Sequence, residues 1–199
     1  MADTCARIYL ASQSPRRAEL LAQVGIGFKR LHVEVDETPL TDEIAVDYVE
    51  RVAIAKAKAG WQQLEHSGQA LLPVLSADTA VVLDGQIMGK PHNHDHALVM
   101  LRELSGRTHQ VMTAICFCYQ GKLWPAVKTT EVTFVHLSEA ELERYWCSGE
   151  PIGKAGAYAI QGLGALFVEH IAGSYSAVVG LPLLETSRLL NQIEQEITL

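Results

Sequence analysis

Two tight-turn signals inside long apolar runs most constrain the fold of this chain. Asp84-Gly85 follows the β-branched run Pro73–Leu83. Gln120-Gly121 separates two further runs, Thr108–Tyr119 and Lys122–Val135. Two-residue turns of this kind join antiparallel strands, so they exclude an all-parallel sheet. Because helical patterns alternate with the strands, the sequence predicts an α/β fold with a long mixed, partly antiparallel sheet and helices on both faces.

Hydrophobic periodicity predicts the remaining elements. Helices are expected around residues 44–53, over about Asn93–Leu104, after a capping-box pattern at Ser138 and Glu141, and from Pro182 onward. Strands are expected at Phe28–Val35, near Ala165–Ile171 and at Tyr175–Val179. No repeat or linker divides the chain, and a hydrophobic content of 48% supplies a substantial core, so residues 1–199 are expected to form a single domain.

The first strand and helix carry an unusual pair of arginines. Ile8–Ala11 predicts a short strand that stops at Ser12, and Ser14-Pro15 predicts the start of a helix. Arg16 and Arg17 then lie in the first helical turn, where the helix dipole disfavours cations. A bound phosphate would remove that conflict, and we favour it over the alternative of a solvated arginine pair.

Two acidic positions indicate a metal or a general base. Asp78 interrupts an apolar strand, and a carboxylate is rarely buried without a partner or a metal. Glu34, Asp36 and Glu37 form a second acidic group at the end of a predicted strand. Carboxylates from two elements could hold Mg²⁺ or Mn²⁺ together with substrate phosphates. The alternatives are a strand-end Asp bonded to its own turn and a solvated acidic loop.

Several other polar residues have both a functional and an ordinary interpretation. Lys90 is held beside a rigid proline. Lys56 continues the apolar face of the long helix, which indicates either a buried partner or a snorkelling side chain. In the segment Lys154–Gly164, three glycines allow close backbone approach, and the Gln161 amide matches the edge of a nucleobase. The residues His92, His94 and His96 are interpreted as a hydrated start of a helix rather than as a metal cluster.

Charge and cysteine content limit the partners and the compartment. A net charge of −7 argues against nucleic acid, and no apolar run approaches membrane-spanning length. The stretch Met1–Arg7 has no leader character. The cysteines lack CxxC spacing, which is typical of a reducing compartment, so a cytoplasmic location is expected; they are Cys5, Cys116, Cys118 and Cys147.

Six motifs, in family order from residue 8 to about 186, closely resemble the Maf family of septum-formation inhibitors. They are Leu10-Ala-Ser-Gln-Ser-Pro-Arg-Arg17, Ala77-Asp-Thr79, Gly89-Lys-Pro91, Lys154-Ala-Gly-Ala-Tyr158, Ile160-Gln-Gly162 and Gly173-Ser-Tyr-Ser-Ala-Val-Val-Gly-Leu-Pro182. The resemblance implies a fold like that of inosine triphosphate pyrophosphatases, with two lobes around a cleft. It also implies metal-dependent hydrolysis of a nucleoside triphosphate to the monophosphate and pyrophosphate, and a homodimer.

The resemblance also assigns roles to individual residues. Glu37 and Asp78 would be the catalytic and metal-binding residues, with Mg²⁺ or Mn²⁺ as the cofactor. The substrate-binding residues would be Ser12, Arg16, Arg17, Lys56, Thr79, Lys90 and Gln161. Within the family, the motifs look like the branch that acts on dTTP and UTP, in which Arg16, Thr79 and Gln161 would set the specificity.

Other functions remain open on the sequence. A nucleotidyl transferase also begins with a strand, a polar loop and an Arg-bearing helix, and it would form a nucleotide-linked product. A non-catalytic nucleotide sensor that regulates septum formation would bind UTP without releasing pyrophosphate. A role in cell-division arrest is treated as secondary, and modified pyrimidine nucleotides also remain open as substrates.

Overall fold

A mixed seven-stranded sheet forms the centre of the molecule in the computed structural model, which describes residues 6–198. The strands follow the order β2-β1-β3-β5-β6-β7, and β4 pairs with β3. Their bounds are β1 Ile8–Ala11, β2 Phe28–Leu31, β3 Val74–Leu83, β4 Gln86–Met88, β5 Thr108–Tyr119, β6 Lys122–Phe134 and β7 Val168–Ala172. Among the strands of this described region, β1 pairs in parallel with β2 and β3, and the other pairs are antiparallel. The predicted mixed sheet is confirmed.

Helices cover both faces of the sheet, as predicted. They are α1 Pro15–Gln23, α2 Ala45–Glu65, α3 His94–Leu104, α4 Glu139–Cys147, α5 Tyr175–Val179 and α6 Leu183–Thr198. Apolar residues of α2, such as Val49 and Trp61, pack with one face of the sheet in one core cluster. Residues of α1, α3, α4 and α6 pack with the other face in a second, larger cluster. The sheet therefore separates two cores.

Both predicted hairpin turns are present. Asp84 and Gly85 join β3 to β4 with φ values of +50° and +81°. Gln120 and Gly121 join β5 to β6 with φ values of +49° and +78°. Two successive residues with positive φ give the turn whose twist matches antiparallel strands, which explains why a glycine occupies the second position of each.

Strand β3 has a gap in its pairing on one edge. Its first residues pair with β1 as far as Ser76, and its last residues pair with β4 from Val81. On the opposite edge, β5 pairs with β3 without interruption over the same stretch. Residues 77–80 of β3 therefore have a strand neighbour on one side only, and Asp78 and Thr79 lie in that gap.

Three predicted strands differ from the structure, one in its type and two in their boundaries. Tyr175–Val179 is a short helix, because the Ser174 hydroxyl accepts a hydrogen bond from the Ala177 N–H and caps its start. The strand predicted at Phe28–Val35 ends at Leu31, which pairs with Ala11, the last residue of β1. The strand predicted from Ala165 begins at Val168, after a 3₁₀ turn over Leu163–Phe167.

Two of the four cysteines lie in the core of the protein. Cys116 and Cys118 are buried in the same core cluster and are free thiols. Burial raises the pKa of the Cys116 thiol to about 12, so this thiol is inert at neutral pH. Cys5 lies outside the described residues, as does most of the stretch Met1–Arg7. Within residues 6–198, no helix has the length and apolar character needed to cross a membrane.

Candidate active site

A cleft of about 850 Å³ opens at the gap in the pairing of β3. Every predicted site residue lines it: Ser12, Arg16, Arg17, Glu37, Lys56, Asp78, Thr79, Lys90 and Gln161. These residues come from the β1–α1 loop, the segment after β2, α2, β3, the segment after β4, and the glycine-rich loop. The cleft thus brings together parts of the chain that are distant in sequence.

Lys56 joins the two predicted catalytic carboxylates. Its Nζ lies 2.6 Å from Glu37 Oε1 and donates a hydrogen bond of 2.9 Å to Asp78 Oδ1. The side chains of Lys56 and Asp78 are only 11% and 9% exposed. The position of Lys56 on the apolar face of α2 is therefore explained by partners rather than by snorkelling. Asp78 lies inside β3, so the alternative of a strand-end turn is wrong.

The contact with Lys56 affects the pKa of the Glu37 carboxyl. Partial burial raises the pKa of the Glu37 carboxyl, but the hydrogen bond and charge of Lys56 outweigh it, and the pKa lies below its ordinary value. The charges of Lys90 and Arg17 act in the same direction. Glu37 is therefore ionised at neutral pH.

The donor set fits a divalent ion that completes its coordination with substrate. Glu37 and Asp78 converge on a single cation position, the Lys56 ammonium, and Mg²⁺ in phosphate-transfer sites is typically held by one or two carboxylates plus phosphate oxygens. In residues 6–198 no cluster of three or more His, Cys, Asp or Glu side chains is placed to hold a metal. Glu37 and Asp78 are thus two carboxylates that could hold such an ion together with phosphate oxygens and water.

The two arginines of α1 have different environments. Arg17 is buried and donates to Gly180 O at 2.8 Å, Ser12 Oγ at 3.0 Å and Thr79 Oγ1 at 3.3 Å. Arg16 is half-buried, and its Nε has no hydrogen-bond partner among the described residues. Burial lowers the pKa of both guanidinium groups. Arg17 thus holds the wall of the cleft together, whereas Arg16 remains available to a ligand.

Ser12 presents a single proton to the cleft. Its Oγ accepts hydrogen bonds from Arg17 Nη1 at 3.0 Å and from the Ser14 N–H at 3.2 Å. A hydroxyl has two lone pairs and one proton, so both acceptor positions are occupied. Only the O–H donor remains for a ligand, which matches the needs of a phosphate oxygen. Ser14 precedes α1, whose start at Pro15 agrees with the prediction, but the Ser14 side chain makes no capping hydrogen bond.

Lys154 was not predicted to be a site residue. Lys154 lines the cleft, and burial together with the charge of Arg16 lowers the pKa of its ammonium. It belongs to the glycine-rich segment, in which only the glycines and Gln161 were considered. The available signal in the sequence was a lysine next to glycines, because glycine allows the backbone to approach a ligand closely and a lysine binds anionic groups.

Glu150, which was also missed, anchors the loop that carries Gln161. Its Oε1 accepts from Tyr145 Oη at 2.7 Å and from the Gly164 N–H at 2.9 Å, and its Oε2 accepts from the Leu163 N–H at 2.9 Å. A Cβ on Gly162 would overlap Glu150 Oε2, so the present approach of the loop to this carboxylate depends on glycine. The glycine-rich loop is therefore wrapped around one carboxylate.

The remaining polar candidates lie outside the site. Glu34 pairs with His32 at 3.2 Å, and Asp36 accepts from the Thr38 N–H at 2.9 Å. His94 contacts Glu143 at 2.9 Å. None of these residues lines the cleft. The interpretation of the histidine stretch as an ordinary start of a helix agrees with this geometry.

Comparisons with known proteins identify the family of the chain. The model of the Maf-like protein family matches residues 7–193. The dTTP/UTP pyrophosphatase of Chromobacterium violaceum is 49% identical over 197 residues, which cover 99% of this chain and 100% of that protein. The dTTP/UTP pyrophosphatase of Nitrosomonas europaea is 52% identical over 93% of each chain. The nucleoside triphosphate pyrophosphatase of Haemophilus ducreyi is 46% identical over 96% of this chain and 97% of its own. By fold, site and these matches, the chain belongs to the Maf-like protein family.

Proposed function

We propose that this protein is a metal-dependent pyrophosphatase that hydrolyses dTTP and UTP to the monophosphate and pyrophosphate. The observation that carries the proposal is the meeting of the Lys56-bridged carboxylates Glu37 and Asp78 with Arg16 and Lys90 in one cleft. The names of relatives that are about half identical over nearly the whole chain support the same substrates.

The cations of the cleft would bind the triphosphate. A protein with a net charge of −7 must gather its cations locally to attract a polyanion. Arg16, Lys90 and Lys154 line the cleft, and within residues 6–198 the buried Nε of Arg16 has no hydrogen-bond partner. Charge-assisted hydrogen bonds from these groups, with the proton of Ser12, would fix the phosphates relative to Asp78.

Glu37 and Asp78 would hold Mg²⁺ or Mn²⁺ beside the phosphates. When bound, such an ion neutralises phosphate charge and lowers the pKa of a coordinated water. Asp78 would accept a proton from the attacking water, whose oxygen forms a bond to the α-phosphorus. The bond from the α-phosphorus to its bridging oxygen then breaks, and pyrophosphate leaves with that electron pair. Lys56 would hold the Asp78 carboxylate in its orientation through the hydrogen bond from its Nζ.

Thr79 and Gln161 would read the base. Thr79 is a half-buried hydroxyl on the cleft wall, and Gln161 is an exposed amide on the loop that Glu150 anchors. Both can pair with the polar edge of a pyrimidine. Loss of one such hydrogen bond typically costs about 1 kcal/mol or more, which is roughly tenfold in discrimination.

A panel of nucleoside triphosphates tests the proposal. Pyrophosphate release is measured for dTTP, UTP, CTP, ATP and GTP with Mg²⁺, with Mn²⁺ and with EDTA. We expect release from dTTP and UTP that depends on the metal. A nucleotide-linked product with a sugar phosphate acceptor would indicate a transferase instead, and tight binding of UTP without pyrophosphate would indicate a sensor.

A further inference from the structure

A chain of hydrogen bonds runs from Arg17 through the cleft wall into the core. Arg17 Nη2 donates to Thr79 Oγ1 at 3.3 Å, and Thr79 Oγ1 lies 3.0 Å from Thr113 Oγ1. Thr113 Oγ1 donates to the carbonyl oxygen of Ala177 at 2.7 Å. Thr79 and Thr113 are paired residues of β3 and β5, so the sheet register holds the two hydroxyls together.

Each hydrogen bond in this series has a fixed direction from donor to acceptor. The carbonyl of Ala177 can only accept, so it takes the proton of Thr113. The Thr113 oxygen must then accept from Thr79, which commits the Thr79 proton to the core. The guanidinium of Arg17 can only donate, so it takes one lone pair of Thr79. The group that Thr79 presents to the cleft is its second lone pair, and this is an acceptor.

Burial makes this direction stable. Thr113 and Ala177 are fully buried, and Arg17 is 9% exposed. Water is therefore excluded from the inner part of the chain and cannot take over either partner. If the Thr113 hydroxyl rotated to donate to Thr79 instead, the buried carbonyl of Ala177 would lose this hydrogen bond, which is costly in the protein interior.

We propose that Thr113 is a specificity-determining positioning residue, which makes Thr79 an obligate acceptor toward the nucleobase. The substrate class that fits is a pyrimidine whose ring N3 carries a hydrogen, as in uracil and thymine. The N3 atom of cytosine carries no hydrogen and is itself a hydrogen-bond acceptor, so it cannot donate a hydrogen bond to the Thr79 lone pair. The inference rests on the proposed function, in which Thr79 contacts the base.

Gln161 cannot supply this discrimination by itself. Its amide carries both a donor and an acceptor, and a half-turn of the side chain exchanges them. Gln161 is exposed, so its amide is surrounded by solvent rather than by the protein interior. Discrimination between uracil and cytosine therefore depends on a hydroxyl whose proton is fixed, and Thr113 is the residue that fixes it.

The test compares kcat/KM for UTP and CTP in four proteins. Thr113→Val keeps the shape of the side chain but removes the acceptor, so the Thr79 proton is free to turn toward the base. We expect the preference for UTP over CTP to fall about tenfold or more, in line with the loss of one directed hydrogen bond. Thr113→Ser keeps the hydroxyl and should restore the wild-type preference. Thr186→Val is the matched control, because Thr186 is a buried threonine whose hydroxyl donates to Pro182 O at 2.9 Å, just before the start of its own helix and away from the cleft.

The outcomes separate this inference from the proposed function. If Thr113→Val hydrolyses UTP with an unchanged preference over CTP, the role of Thr113 is wrong while the pyrophosphatase stands. Equal use of UTP and CTP by the wild type would overturn the role of Thr113 in the same way. Absence of UTP and dTTP hydrolysis by the wild type would overturn both. Should Thr113→Val fail to fold, Thr113→Ala carries the same expectation, because it also removes the acceptor.

Discussion

The ammonium of Lys56 lies 2.9 Å from the carboxylate of Asp78, and both side chains are almost entirely buried. A buried ion pair loses most when a single partner is removed, because the other charge is left without compensation. Lys56 also contacts Glu37 at 2.6 Å, so it balances two carboxylates at once. The lysine is therefore the structural centre of the acidic side of the cleft as well as a proposed substrate contact.

Replacement of Lys56 by methionine should destabilise the fold. We expect the free energy of unfolding to fall by about 3 kcal/mol, since Asp78 becomes a buried carboxylate without a cation. Urea denaturation at neutral pH measures the change. Lys58→Met, an exposed position on the same helix, is the control and should change stability by less than about 0.5 kcal/mol. Equal stability of the two variants would show that the ion pair contributes nothing.

Arginine-to-lysine substitutions should separate the two arginines of α1. Arg17→Lys loses a planar donor set that serves Gly180 O, Ser12 Oγ and Thr79 Oγ1, and should cost about 3 kcal/mol of stability. Arg16→Lys should leave stability within about 0.5 kcal/mol but raise KM for UTP about tenfold. Thermal unfolding and steady-state kinetics measure the two effects. The reverse pattern would mean that the assignments of the arginines are exchanged.

Gly162→Ala should impair catalysis through the loop that carries Gln161. The added Cβ would overlap Glu150 Oε2, so either the loop or the anchoring carboxylate must move. We expect kcat/KM for UTP to fall by about tenfold or more, because small displacements of positioning groups are costly. Leu166→Ala, at a residue 78% exposed in the following 3₁₀ turn, should keep wild-type kinetics. Unchanged kinetics in Gly162→Ala would argue against a positioning role for this loop.

His109 should make the fold sensitive to acid. Burial lowers the pKa of His109 from 6.5 to about 4 in the folded protein. As the pH falls below 6.5, the unfolded chain binds a proton that the folded protein does not, so stability decreases until about pH 4, where the folded form is also protonated. Above this window the stabilisation is fully present.

The size of the His109 effect follows from the shift. Between roughly pH 7.5 and pH 5, we expect a loss of about 2 kcal/mol that is attributable to His109. His109→Gln should reduce this acid dependence, whereas the same change at the exposed His66 should not. Urea denaturation at the two pH values measures the difference. The same acid dependence in His109→Gln and the wild type would exclude this histidine as its source.

Local signals made much of the fold predictable. The hairpins at Asp84-Gly85 and Gln120-Gly121 were recognised because a turn depends on its own two residues. The start of α1 at Pro15 was recognised because proline suits the first helical position. The short helix Tyr175–Val179 was missed, since its β-branched valines favour a strand and its cap at Ser174 outweighs them only in context.

Some features of the site could likewise be predicted from local sequence, and others depend on the fold. Asp78 and Arg16 could be singled out because each contradicts its surroundings in the sequence, as an acid in an apolar strand and a cation at a helix start. The partner of Lys56 could not be identified, because α2 and β3 meet only in the folded sheet. The role of Glu150 was equally hidden, since its acceptors face backbone groups of a loop that approaches it only after folding.

Pyrophosphate release from UTP by Asp78→Asn tests the central claim most directly. The substitution keeps the size of the side chain and removes the charge, and Lys56 retains Glu37 as a carboxylate partner at 2.6 Å. The fold should therefore persist while the proposed base and metal ligand is lost. With Mg²⁺ or Mn²⁺ present, and with folding checked by thermal unfolding, we expect turnover to fall by at least about a hundredfold. Turnover close to that of the wild type in a folded Asp78→Asn protein would contradict the account, because the acidic side of the cleft would then play no part in the chemistry.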